Sequence, residues 1–105
     1  MIHIAPCASL AEVRLNIDRI DRQLVGLIAE RGAYVRQAAA FKKTADEVPA
    51  PHRVAEVLAK VRGIAQEVGT EPAVVEATWY AMIAAFIDSE RQHHAALHPP
   101  TPQPN

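Results

Sequence analysis

The chain reads as all-α: three helices, one long and two shorter, with a second copy needed to cover the first. Three observations lead there. Apolar residues recur in steps of three and four along each segment, which is the spacing of one helix face. The β-branched residues follow that same spacing instead of alternating, and no Asn-Gly or Asp-Gly hairpin turn occurs. Proline and glycine signals at Pro49-Ala50-Pro51 and at Gly69 punctuate the segments.

Ser9 followed by Glu12 forms the pattern of a capping box and opens the first helix. Its stripe runs Leu10, Val13, Ile17, Ile20, Leu24, Leu27/Ile28, Tyr34/Val35, Ala38 and Phe41, with no proline before Pro49. Such a helix spans on the order of 50 Å, against a radius of gyration near ~13 Å for a compact domain of this size. The later helices are too short to cover it in a monomer, so its apolar seam calls for a partner copy. Helix two opens at the prolines, carries Val54, Val57/Leu58, Val61, Ile64 and Val68 inward, and stops at Gly69. Thr70 is placed to cap helix three, with Pro72 in its first turn. Its inner face is Val75, Trp79, Met82/Ile83, Phe86/Ile87 and Glu90. The expected lengths are about 35, 17 and 26 residues.

With 105 residues, 50% hydrophobic and 22% charged, one small domain over 9–97 is expected. A flexible stretch (1–8) and a proline-rich disordered tail (98–105) flank it. The net charge of −1 supplies no basic surplus for nucleic-acid binding. A single cysteine, Cys7, rules out an internal disulfide framework and fits a reducing compartment. No signal-peptide pattern or membrane-length apolar run appears, so a cytoplasmic protein with no membrane partner is expected.

Within the first stripe, Arg31 occupies a slot that calls for an apolar side chain, and Arg14 and Lys42 flank the same seam. Cations on a buried face are rare unless paired, so an anionic ligand among the helices is the leading reading. Arg31 and Lys42 point the same way with Cα atoms roughly 16 Å apart, a span two extended side chains could close on a substituted six-membered ring. Arg14 lies roughly 25 Å from Arg31 along the axis and points about a quarter turn away. Acting at the same ligand, it must come from a second chain.

Arg53 opens helix two, where free N–H groups and a guanidinium make a natural carboxylate site; alone, it reads as a solvated surface residue. Glu90, one turn past Phe86 and Ile87, puts a carboxyl on the inner stripe of helix three. There it is either paired with a cation, as at a fraying helix end, or protonated and able to donate a hydrogen bond. His93, His94 and His98 fall short of a closed metal site, and no metal or cofactor is expected. No phosphate-cradling glycine loop, nucleophile elbow or supported Cys–His pair occurs. A cationic site with one neutral acid and no nucleophile suits a reaction that needs only a fixed conformation and charge stabilisation.

The order Arg14, Arg31, Phe41-Lys42, Arg53 and Glu90 on three helices resembles the AroQ class of all-α chorismate mutases. The resemblance covers roughly Leu10 to His94. The runs Ile17-Asp18-Arg19-Ile20-Asp21 and Pro49-Ala50-Pro51-His52-Arg53-Val54 look especially like its isochorismate pyruvate lyase branch. The resemblance implies an intertwined homodimer with two equivalent sites. In each, Arg14 from the partner chain and Arg31 hold the two substrate carboxylates, Lys42 binds the ether oxygen and a carboxylate, and Arg53 supports the carboxylate side. Glu90 stands where many members have Gln and some mutases have Glu. It donates to the ether oxygen only when protonated, so activity should fall as pH rises through its titration.

Two reactions fit such a pocket: rearrangement of chorismate to prephenate, and elimination of pyruvate from isochorismate to leave salicylate. Mutases often carry acids near the start of helix two, where this chain has Ala50 and Val54, which favours the lyase. Glu90 has its precedent among mutases, and the mutase is the commoner activity of the class. The expected function is therefore chorismate mutase, with isochorismate pyruvate lyase the alternative. A non-enzymatic rival is a dimeric helical interaction module in which Asp18, Asp21 or Glu30 satisfies Arg31 across the seam. Thr44 to Val48, beside Lys42, have the composition of a mobile lid.

Overall fold

A computed structural model of the chain describes residues 3–41 and 51–97. Three α-helices follow in order: α1 (Leu10–Ala39), α2 (Pro51–Val68) and α3 (Pro72–Leu97). The described residues contain no strand. The chain divides into two compact units, Met1–Ala45 and Asp46–Asn105.

The first unit is built on α1. Ser9 sits in extended backbone (φ −152, ψ 162) and its hydroxyl accepts the Glu12 N–H at 3.1 Å. The Glu12 carboxylate reaches back to the Ala8 N–H at 2.9 Å, one residue beyond the usual capping-box partner. From there the helix runs unbroken for 30 residues, about 45 Å. It ends sooner than the apolar spacing suggests. Ala40 and Phe41 donate to Gln37 and Ala38 at 3.1 Å, a tightened i→i−3 turn that closes the helix without glycine or proline. Phe41, in phase with the stripe, lies past this end and is 87% exposed. Along the seam Ile17 is 49% exposed and Leu24 48%. Only Arg31, Val35 and Ala39 are half-buried and Gly32 buried.

The second unit is a helical hairpin in which α2 packs on α3. Pro51 starts α2, where its missing N–H costs nothing. Gly69 stops it at φ +80, with Thr70 N–H on the Ala65 carbonyl (2.9 Å) and Gly69 N–H on that of Gln66 (3.3 Å). These two bonds make a complete Schellman motif. Helix three starts one position later than Thr70 predicts a cap. Pro72 takes the first helical position, and the Glu71 carbonyl accepts from Val74 and Val75.

The buried face of α2 is Val57, Val61 and Ala65, flanked by half-buried Val54 and Leu58. Ile64 and Val68, expected inside, are 45% and 41% exposed, whereas Ala65 is 1% exposed. A methyl side chain near the three-residue turn lets the helices close there. The expected face of α3 holds at every position: Val75, Trp79, Met82, Ile83, Phe86, Ile87 and Glu90 are all half-buried. Arg62 of α2 and Glu76 of α3 form an ion pair that pins the hairpin register.

Two glycines give opposite expectations. Neither Gly69 nor Gly63 has another atom in the way of an added Cβ, so backbone conformation alone decides. Gly69→Ala forces an L residue into the left-handed region and should cost about 1–2 kcal/mol. Gly63→Ala, in the middle of α2, should gain roughly 0.5–1 kcal/mol. Thermal melts at one fixed protein concentration check the pair; equal shifts of one sign would refute the assignment.

Candidate active site

Of the five polar side chains expected at the site, α1 presents Arg14 and Arg31. Arg14 is exposed and Arg31 half-buried. Because α1 is continuous, the two cations are held about 25 Å apart along its axis. An Arg side chain reaches only a fraction of that span, so one copy of α1 cannot bring both to one small ligand. Neither forms an ion pair with another described residue. Asp18, Asp21 and Glu30 of the same helix therefore leave Arg31 unpaired within the described chain.

Arg53 and Glu90 belong to the hairpin. Arg53 lies in the first turn of α2 and Glu90 near the end of α3. The antiparallel register set by Arg62–Glu76 puts both at the open end of the hairpin, away from the Gly69 turn. Glu90 stands about 7 Å further along the axis than the level of Arg53. Arg53 is exposed and its Nη1 meets Glu56 Oε1 at 2.5 Å, one turn along α2. Glu90 is half-buried on the same face as Phe86 and Ile87, so its carboxyl borders apolar surface. Lys42, Ala50, the 44–48 stretch and the tail from 98 lie outside the described residues.

Sequence reasoning overlooked the acids beside the cations. The i,i+3 spacing of Arg53 and Glu56 was there to be read. The Arg62–Glu76 pair was not, because it depends on how α2 and α3 cross. Chemically, the described residues offer guanidinium groups for carboxylates and one carboxyl at an apolar margin. They suit binding and polarising a small anion.

The described chain is all-α, with arginines on α1 and α2 and an acid on the half-buried stripe of α3. The family model for type II chorismate mutase matches residues 13–91. An isochorismate pyruvate lyase of Pseudomonas aeruginosa is 37% identical over 81 residues, covering 77% of this chain and 80% of that protein. The chain belongs to the type II chorismate mutase family, a family of enzymes.

A carboxyl on a half-buried apolar stripe costs stability. Glu90→Leu should continue the apolar face of α3 and stabilise the protein by about 1 kcal/mol. Chemical denaturation would measure it; a loss of stability would show instead that the carboxylate is held by a partner.

Proposed function

We propose that this chain catalyses the breaking of the enolpyruvyl ether in a chorismate-type dicarboxylate, by conformational restriction and electrostatic stabilisation. The observation that carries this is positional. Arg14, Arg31, Lys42, Arg53 and Glu90 all fall inside the span matched by the family, in the order of the resemblance. Arg14 and Arg31 hold the two carboxylates in a compact, diaxial-like conformer, and Arg53 supports the carboxylate side. Lys42 and protonated Glu90 donate to the ether oxygen as the C–O bond breaks and negative charge builds there. No covalent intermediate is needed.

Two reactions share this chemistry, and a specific observation favours each. In the mutase reaction the ether bond breaks as a carbon–carbon bond forms, converting chorismate to prephenate. Glu90 favours it, as an acid with precedent among mutases at this position. In the lyase reaction the ether bond breaks as a ring hydrogen passes to the enolpyruvyl methylene, giving salicylate and pyruvate. The likeness to the Pseudomonas lyase favours it, as does the absence of an acid at Ala50 and Val54.

The working unit in this reading is a homodimer with two equivalent sites, built from the domain spanning 9–97. Two observations support it: the exposed seam of α1, and the separation of Arg14 from Arg31 along it. The described residues bury only Val57, Val61 and Ala65 as a hydrophobic core, too little to stabilise a chain of this size. A second copy laid along α1 covers the seam and brings its own Arg14 to Arg31. With no helix long and apolar enough to cross a membrane among the described residues, a cytoplasmic location fits this chemistry.

The deciding assay incubates purified protein separately with chorismate and isochorismate over about pH 5 to 8, following prephenate and salicylate. The Glu90→Gln variant, whose amide can donate to the ether oxygen, should keep turnover, whereas Glu90→Ala should lose it. Prephenate as the dominant product identifies the mutase, and salicylate the lyase. Inactivity on both substrates would return the chain to the helical-module reading.

Shared sites make a second prediction. Arg14→Ala and Arg31→Ala should each be inactive and each remain folded. Mixed, unfolded and refolded together, they should recover about one quarter of wild-type activity, because half of the dimers regain one intact site of two. No recovery would mean that both arginines act within one copy or that the two do not share a ligand.

A further inference from the structure

Arg53 is oddly placed for a residue with only a structural role. The N-terminal end of a helix carries the positive end of its dipole, which disfavours a cation by a few tenths of a kcal/mol or more. The first turn of α2 nonetheless holds Arg53 and no acid. Its charge is met one turn later by Glu56, whose carboxylate accepts from the Arg53 guanidinium. Both side chains are more than half exposed, so this pair does not hold the fold together. The other acid of α2, Glu67, makes no ion pair with a described residue.

We propose that Glu56 is a positioning residue that tunes substrate affinity by occupying Arg53 until a substrate carboxylate displaces it. The inference rests on the reading of Arg53 as a carboxylate ligand. Glu56 is a built-in carboxylate one helical turn away, and it presents to the guanidinium the same chemical group that the substrate presents. It keeps the fork extended along the α2 face and makes binding an exchange of one charge-assisted hydrogen bond for another. The exchange weakens binding of the ground state while leaving the bond-breaking step untouched, because the pair is already broken once substrate is bound.

The test is steady-state kinetics on whichever of chorismate and isochorismate the protein turns over, near 0.15 M salt, with Arg53→Ala, Glu56→Gln, Glu67→Gln and the Arg53→Ala/Glu56→Gln double variant. Glu56→Gln should lower KM by about two- to fivefold, the range of an exposed ion pair, with kcat unchanged. Arg53→Ala should raise KM, and on that background Glu56→Gln should have no further effect. Glu67→Gln removes the same charge about 21 Å along the helix, where screening over ~8 Å silences it, and should leave KM unchanged. An unchanged KM in Glu56→Gln, or an equal fall in Glu67→Gln, overturns the inference while Arg53 keeps its role. An unchanged KM in Arg53→Ala removes Arg53 from the site, and the role of Glu56 goes with it.

Discussion

The unbroken run of α1 is the constraint on which the rest depends. Thirty residues without a kink hold Arg14 and Arg31 at a separation neither side chain can span. The same rigidity leaves an apolar seam from Val13 to Ile28 exposed. A compact monomer would have bent or broken this helix to bury the seam. Keeping it straight makes sense when a second copy both covers the seam and completes the ligand site. The dimer proposed here would cover that seam and bring a second Arg14 to Arg31.

The hairpin solves a different problem, which is to hold Arg53 and Glu90 at one end of a small scaffold. Its turn is closed by backbone bonds around Gly69, with the small side chain of Ala65 buried beside it. Cross-helix register comes from Arg62 and Glu76, an exposed pair of little net worth whose value is geometric. Acids therefore accompany both arginines of α2, and they differ in what they do. Glu76 joins two helices, whereas Glu56 stays on the helix of its partner.

A reaction carried by binding and polarisation places few demands on side-chain reactivity and strict ones on charge. Every cation in such a site favours the dianionic substrate and repels its neighbours when the site is empty. Glu90 itself lies on the half-buried stripe of α3 and so belongs to the packing of the hairpin.

Much of this was written locally in the chain. Stripe spacing, the Ser9 cap, the Gly69 stop and the proline start of α2 all operate within a few residues, so the sequence alone determined three helices and the inner face of α3. It also determined that Glu90 lies on the inner stripe of α3 and that Arg14 and Arg31 share one helix. Only the tertiary structure decided that Ala65 is buried while Ile64 and Val68 stay exposed, and that Arg62 meets Glu76. A period of 3.6 residues leaves a broad apolar arc, and which part of it is covered depends on where a second helix crosses. The end of α1 escaped the sequence for a related reason. Phe41 keeps the phase of the stripe, yet without a glycine or proline the stop is a backbone rearrangement that no side-chain pattern announces.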